Sequence, residues 1–374
     1  MNQSTHIVAL VSYKIFPARM GGQKGIALFY KYLSRLLPVT IVSTKNNEIP
    51  QDTDASFLPV LSNSKLRYIN PFLFFKLKRI LREKRATDLI LEHPYYGWLG
   101  IWLKKSCSIK LIIHSHNIES LRFKSTGKWW WKVLWHYERF VHRNADINFF
   151  ITDEDRDFAL KQFGLSPASC HTITYGFEIS DAPAPAHRAA ARISLQQLHY
   201  INEHETILLF NGTLDYKPNL DALDVILNTI NPMLMTNSRF AYKIIICGKG
   251  LPAHYNELKD HKEKNILYAG FVDDINVYFK GADIFINPVT DGGGIKTKVV
   301  EALGFNLSVI STESGAIGLP ASVTGKKLAR IKDGDWQSFA HAITTVDSSA
   351  HIPQSFFDHF YWGNIARKVK SVIS

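Results

Sequence analysis

The stretch Asn287-Pro-Val-Thr-Asp291-Gly-Gly293-Gly294-Ile295-Lys296-Thr297-Lys298-Val-Val-Glu301-Ala-Leu-Gly304 has the residue types of an anion cradle. An apolar run ends at Asn287, three glycines follow, and a helical pattern opens near Lys296. Gly292, Gly293 and Gly294 allow a close backbone approach to a ligand. The free N–H groups of a helix start favour an anion, most often phosphate. Lys296 and Lys298 add positive charge there, and Glu301, one turn beyond Lys298, can accept hydrogen bonds from a ribose diol. A diphosphate held by the glycines, Ile295 and Thr297 is the chemistry this spacing suits; a tight turn capping a helix with surface lysines is the plain alternative. A second, weaker signal is Gly21-Gly22, which follows the apolar run His6–Ser12 through Pro17 and could bring N–H groups to the same diphosphate. Two acidic pairs resemble metal sites only superficially: Asp52-Thr-Asp54 reads as a surface loop and Asp153-Glu-Asp155 as an acidic helix start. No metal site is predicted.

The elements that must position these residues follow a βαβ rhythm. Strands are predicted at His6–Ser12, Val39–Ser43, Asp88–Leu91, Lys110–His114 and Asp146–Ile151, with helices at Gly22–Leu37, Asn70–Lys84, Trp129–Arg143 and Glu154–Phe163. This alternation argues for a parallel sheet covered on both faces. The pattern stops at Asp181-Ala-Pro-Ala-Pro-Ala, a predicted linker that neither extends a sheet nor sustains a helix. It restarts with strands at Thr206–Phe210, Tyr242–Cys247, Ile266–Tyr268, Asp283–Asn287 and Ser308–Ser311, and helices at Asn219–Met235, Asp274–Lys280 and Lys296–Leu303. With 374 residues, two α/β domains are the natural count. The predicted boundaries are 1–178, a linker 179–203, a second domain 204–355, and an amphipathic helix 356–374. Ligands of open α/β sheets bind beyond the carboxyl ends of the strands, so two such domains facing each other make a cleft.

Several segments, in order over most of the chain, resemble glycosyltransferase family 4, whose fold is GT-B. They are Gly21-Gly22; His114-Ser-His116-Asn117-Ile-Glu119; Thr174-Tyr-Gly176-Phe; Phe210-Asn-Gly212-Thr-Leu-Asp-Tyr-Lys217-Pro-Asn219; Gly270-Phe271-Val272-Asp-Asp-Ile with Ala282-Asp283-Ile-Phe-Ile-Asn-Pro288; and Gly292 to Gly318. The resemblance implies two facing Rossmann-like domains, with the last helix returning to the first. It implies a nucleotide diphosphate sugar as donor substrate, no cofactor, and a glycan or lipid-linked acceptor. It places Gly21, Gly22, Gly212, Lys217, Phe271, Val272, Asp291, Gly293, Gly294, Ile295, Lys296 and Thr297 on the donor. Lys298 and Glu301 join His116 as the residues of the reaction, and Asn117 and Glu119 lie on the acceptor side. His116 would bond sugar hydroxyls or stabilise developing charge. His114 is either an inward partner or a strand residue, and Glu119 either an active-site acid or a helix cap. Family members retain the anomeric configuration, a donor phosphate oxygen helping to remove the acceptor's proton. There are departures: Gly293 stands where the family often has a first glutamate, Thr213 where it has an arginine, and Lys217 only near its usual lysine.

Charge narrows the partners. The net charge is +11, and Lys65–Arg143 holds 17 Lys/Arg against five acids, which calls for an anionic partner. Lys128-Trp-Trp-Trp-Lys-Val-Leu-Trp135 and the basic amphipathic segment Asn70–Arg82 suit an anionic membrane surface, or else pack aromatic faces on the sheet. No nucleic-acid module is recognisable. Three scattered cysteines, no signal peptide and no span of about 20 apolar residues lead to the expectation of a cytoplasmic protein, peripheral on the inner face of the plasma membrane if the basic half docks there. A GT-B nucleotide-sugar epimerase and a non-catalytic nucleotide-sugar-binding protein are the competing readings.

Overall fold

The structure is a computed structural model that describes residues 5–18, 21–48, 53–347 and 349–374. Asp52 of the Asp52-Thr-Asp54 pair lies outside them. The chain divides into two compact units, Met1–Gly176 with Trp362–Ser374, and Phe177–Tyr361.

The first unit is built on seven strands: β1 (Ile7–Val11), β2 (Val39–Thr44), β3 (Ser56–Leu61), β4 (Asp88–Glu92), β5 (Lys110–Ser115), β6 (Ile147–Phe150) and β7 (Cys170–Thr172). Their order is β3-β2-β1-β4-β5-β6-β7, with every pairing parallel. The central strands β1, β2 and β4 are buried along their whole length, as a sheet covered on both faces requires. β3 was not legible because it is an outer strand in which only Leu61 is buried and which holds a proline, Pro59, which only an edge tolerates.

The second unit repeats the plan with β8 (Thr206–Asn211), β9 (Tyr242–Cys247), β10 (Ile266–Gly270), β11 (Ile284–Asn287), β12 (Ser308–Thr312) and β13 (Leu328–Ile331). The order is β10-β9-β8-β11-β12-β13, again all parallel. Numbered from its own first strand, each sheet begins 3-2-1-4-5-6. The chain reverses direction across the sheet between β1 and β4, and between β8 and β11. Those two reversals are where doubly wound sheets open a crevice for a ligand.

Two expectations about the connections are corrected. Much of the predicted linker 179–203 is the helix Pro185–His199, which belongs to the second unit and packs on the helix Ile275–Gly281. Pro185 occupies a first-turn position, where its missing N–H removes no helical bond. Arg188 and Arg192 then tie the helix to the carbonyls of Lys280 and Ala282 and to the Asp283 carboxylate. The predicted helix 356–374 is two helices, Gln354–Phe360 and Trp362–Ile373, separated where Tyr361 turns extended and bridges to Phe177. The first belongs to the second unit and the other to the first.

Trp362 anchors that last helix. It is buried, with its ring edge-on to Tyr175 and Phe29 at centroid distances of 5.6 and 6.3 Å. A Cβ on Gly176 would lie 2.3 Å from the indole. Replacing Gly176 with Ala therefore drives the indole out of its seat and should destabilise the protein by about 1–3 kcal/mol, read as a lower denaturant midpoint in equilibrium unfolding; an unchanged midpoint would contradict this packing.

Candidate active site

The parallel register of β4 and β5 sets Glu92 opposite His114. Side chains two apart on a strand share a face, and His116 follows His114 by two residues, just past the strand end. Three side chains thereby converge at the carboxyl end of the sheet. Glu92 is fully enclosed. Its Oε1 accepts from Tyr30 Oη at 2.5 Å and from His114 Nδ1 at 3.1 Å, and its Oε2 from His116 Nε2 at 2.6 Å. Burial pushes such a carboxyl up, but the charge and hydrogen bonds of His114 and His116 outweigh it and hold Glu92 well below the usual carboxylate range. Glu92 thus meets three side-chain donors, which favour its charged form.

A second carboxylate lies beside it. Glu119 Oε1 accepts from His93 Nδ1 at 3.1 Å. Its Oε2 accepts from Tyr95 Oη at 2.7 Å and from Arg122 Nε and Nη2 at 2.8 and 2.6 Å. Despite burial, the His93 hydrogen bond and charge, with Arg122 and Tyr95, hold Glu119 down at about 2. His93 has a positive φ of 66°, a strained conformation that concentrates at working sites. Its Nε2 meets Tyr13 Oη at 3.1 Å, and its ring stacks on His116 at 4.6 Å. Burial and the neighbouring His116 lower the pKa of His93. Of the two roles open to Glu119, the structure shows the carboxylate facing this cluster. The cap of the helix Glu119–Ser125 comes instead from Glu138, which accepts from the N–H groups of Glu119 and Ser120 at 2.8 and 3.1 Å and from Ser120 Oγ at 2.7 Å. Burial raises Glu138 to about 7.

These groups wall a cavity of about 680 Å³ within the first unit, beyond β1, β4 and β5. Tyr13, His93, His116, Asn117 and Glu119 line its polar part, and Phe123, Trp130 and Leu134 its apolar part. The expected residues His116, Asn117, Glu119 and Gly22 are all on this wall. Gly21 and Gly22 are the first turn of the helix Gly21–Ser34, close to the predicted start, and a Cβ on Gly22 would meet nothing within 4 Å. Glu92, His93, Tyr13, Tyr30, Tyr95, Arg122 and Glu138 were missed. The signal available was an acid closing an apolar strand run, Leu89-Ile-Leu-Glu92, since a buried acid must have partners.

In the second unit the glycine-rich stretch lies beyond β11. Gly292 and Gly294 have φ of 91° and 69°, Asp291 Oδ1 accepts from Gly292 N at 2.6 Å, and Gly293 is exposed. Lys296 folds back onto the carbonyls of Gly292 and Gly294, at 2.5 and 3.0 Å. Ile295 and Thr297 lead into the helix Thr297–Gly304, which carries Lys298 and Glu301. Lys298 crosses the sheet reversal. Its Nζ donates to Asn211 O at 3.2 Å and Asn219 Oδ1 at 3.0 Å, and sits 4.6 Å from the centre of the Phe210 ring. No ion pair engages it among the described residues. Burial and the nearby Lys296 lower it to about 7. Gly212 is close beside this lysine, against Asn219. Lys217 is not: it is exposed and paired with Asp221 at 2.5 Å. Val272 is half-buried, whereas Phe271 is 70% exposed and has no part in this cluster.

Among the described residues, Glu92, His114 and His116 are the group whose possible metal-ligand atoms lie within 4.8 Å of one another. The ring nitrogens already bond the carboxylate directly, so these residues suit a hydrogen-bonded cluster. Asp153 and Asp155 follow the cap residue Thr152, whose hydroxyl accepts from Asp155 N, the helix start that was expected.

Comparison with known proteins agrees with this architecture. Residues 21–181 match the family described as Glycosyltransferase Family 4, and residues 205–347 the family described as Glycosyl transferases group 1. Each unit thus matches a glycosyltransferase family model, and the two sheets have the GT-B fold. Solved structures share the fold: Anabaena HepE in complex with UDP (TM-score 0.73, 15% identity, 99% of each chain) and a glycosyltransferase from Rickettsia africae (TM-score 0.72, 14% identity, 99% of this chain and 98% of that one). A curated relative is the chitobiosyldiphosphodolichol beta-mannosyltransferase of Debaryomyces hansenii, 24% identical over 324 residues, covering 77% of this chain and 66% of that protein. Another is an uncharacterised 44.6 kDa protein in the cps region of Klebsiella pneumoniae, 30% identical over 121 residues, covering 31% of each. The chain thus spans just under two thirds of the first relative and about a third of the second.

The Glu138 cap holds Glu119 in place, and its removal leaves two buried N–H groups without an acceptor. Glu138→Ala should cost about 1–3 kcal/mol, measured by urea unfolding; wild-type stability in that variant would show the cap to be dispensable.

Proposed function

We propose that the chain moves a sugar from a nucleotide diphosphate sugar, bound by the second unit, to a glycan or lipid-linked acceptor bound in the cavity of the first. The observation that carries this is Lys298, a half-buried cation at the β8–β11 reversal whose hydrogen-bond partners are all neutral. A buried charge without a counter-ion is costly, and a diphosphate is the counter-ion that this place in a doubly wound sheet accepts. The leaving nucleoside diphosphate gains negative charge as the sugar–phosphate bond breaks. Lys298 and the N–H groups of the helix start at Thr297 are fixed donors for that charge, so the reaction proceeds without a metal. Gly212, Gly294, Ile295 and Lys296 shape the diphosphate site, and Glu301 takes the ribose.

HepE has been solved with UDP, with UDP and glucose, and with UDP-glucose, which supports a nucleotide-sugar donor here. The Debaryomyces relative, by name, acts on a diphosphodolichol, which supports a lipid-linked acceptor. Membership of family 4, retention of configuration and a role in surface polysaccharide or glycolipid synthesis complete the reading. No helix among the described residues is long and apolar enough to cross a membrane. Docking on an anionic bilayer rests instead on exposed side chains of the basic half: Leu66, Ile69, Phe72, Phe75, Trp102 and Trp129 are each more than half exposed, among the 17 cations counted above.

The test is a panel of UDP-, GDP- and ADP-sugars with simple alkyl glycosides as acceptors, the products read by NMR. A glycoside with the donor's anomeric configuration is expected. A rearranged nucleotide sugar would indicate an epimerase, and binding without turnover a non-catalytic protein. Lys298→Met should weaken UDP binding by about 1.5–3 kcal/mol, the range of a hydrogen bond to a charged group. The diphosphate favours the charged lysine, whose pKa is about 7 in the free protein. Binding therefore takes up protons, and affinity falls as pH rises above about 7. Calorimetry in buffers of different ionisation heat measures this, and the uptake should vanish in the variant. In a separate assay, flotation at low salt should carry the protein with phosphatidylglycerol vesicles and not with phosphatidylcholine vesicles; failure on both would remove the membrane role.

A further inference from the structure

We infer that the acceptor carries its sugar on an apolar aglycone, and that Phe123, Trp130 and Leu134 select it by covering the first carbons of that chain. This deepens the proposed function and rests on it. The side chains of the cavity wall fall in a definite order. The helix Glu119–Ser125 sets Glu119 and Phe123 four residues apart, so both lie on one face. Glu119 belongs to the polar cluster with His93 and Tyr95. Phe123, one turn on, meets Trp130 with ring centroids 4.6 Å apart. Trp130 is the cap residue of the next helix, Trp131–Asn144, and Leu134, four residues further, lines the same cavity. A molecule lying along this wall meets hydrogen-bonding groups first and apolar surface next.

That apolar surface offers little to a second sugar. The one polar side-chain atom of the three residues is Trp130 Nε1, so the hydroxyls of a longer glycan would give up water there without finding partners, which is costly. A hydrocarbon chain has no such loss and gains from each methylene it buries. The wall also leads outward to a surface suited to lipid. Trp129, next to Trp130, is 86% exposed, and Val133, next to Leu134, is 69% exposed. Lys124, Lys128 and Lys132 are exposed around them, and no ion pair engages these lysines among the described residues. Lys124 and Lys132 lie over the ring of Trp131, at 4.9 and 5.8 Å from its centre. Exposed tryptophan among lysines is the composition of a contact with an anionic bilayer. The occupant is thus an amphiphile whose sugar sits at His116 and Glu119 and whose chain passes Trp130 toward that surface.

Methyl, butyl and hexyl glucosides, with chains short enough to stay monomeric, are the probes. The full chain is labelled with fluorotryptophan, and the Trp130 resonance is assigned by its loss in Trp130→Phe. In fluorine NMR spectra, hexyl glucoside should shift that resonance saturably. The apparent Kd should fall about two- to fourfold for each added methylene, fourfold being the value for a methylene fully buried. Leu134→Asp, which sets a carboxylate on the apolar wall, should weaken hexyl glucoside binding by about tenfold. The wild-type series decides the matter even where that variant folds poorly. An affinity that does not rise from methyl to hexyl, absence of binding included, overturns the aglycone. So does a Trp130 resonance that maltohexaose shifts and hexyl glucoside does not, which would indicate a glycan acceptor. Neither outcome involves the donor. A protein that takes up hexyl glucoside at Trp130 yet binds no UDP, GDP or ADP overturns the proposed function instead.

Discussion

The first unit is organised around one constraint: a carboxylate, Glu92, is enclosed by protein and held in its charged form. Removing a carboxylate from water costs several kcal/mol even after the protein relaxes, and only direct hydrogen bonds offset this. Three donors from three elements meet the demand: Tyr30 from the helix after β1, His114 from β5, and His116 from the turn beyond it. Moving any of the three elements breaks a bond to a buried charge. The carboxylate therefore fixes the rotation of the first helix and the exit of β5 together, and the wall of the cavity inherits that rigidity. Glu119, with His93, Tyr95 and Arg122, is a second unit of the same kind on the same wall. Stacking of His93 on His116 joins the two.

The second unit shows the inverse arrangement. At the corresponding sheet reversal stands a cation, Lys298, and what surrounds it is a backbone carbonyl, an amide oxygen and an aromatic face. The Glu92 site is satisfied as it stands, whereas the Lys298 site is not. A satisfied buried charge is suited to positioning its neighbours. An unsatisfied one is suited to receiving a ligand of opposite sign. The two sheets share one strand order, yet their reversals are prepared for different tasks.

How much of this was legible follows from the range of each interaction. The βαβ rhythm, the two units and the glycine-rich loop are local patterns, and the sequence displays them directly. β3, β7 and β13 were missed because these outer strands lack the continuous apolar run of the centre. The helix Pro185–His199 was read as linker because Pro and Ala near its start mask a pattern decided by packing on a helix some 80 residues later. Within the site, His116 and Glu119 could be found, being adjacent to one another and close to a strand end. Glu92 could not be given its role from sequence, because its partners lie 62, 22 and 24 residues away. Only the β4–β5 register, which sets Glu92 opposite His114, brings them together.

The departures from the family pattern also resolve in terms of geometry. Thr213 stands where an arginine is expected, and it contributes a carbonyl to Asn219. Lys217 turns to solvent and to Asp221. The loop after β8 therefore presents no positive charge toward the sheet end. Lys298 supplies one from the other side of the same reversal, reaching across to Asn211 and Asn219. A charge delivered from a helix is held more stiffly than one on a loop, because its backbone is fixed by the helix and its ammonium rests over the Phe210 ring. The arrangement also explains why Asn219 is turned inward. Its amide donates to the Thr213 carbonyl and its oxygen accepts from Lys298, so a single side chain closes the loop and seats the cation. Gly212 is required beside it, since a Cβ there would come within 2.8 Å of the Asn219 amide. The glycine, the asparagine and the lysine thus form one packed arrangement at the reversal between β8 and β11.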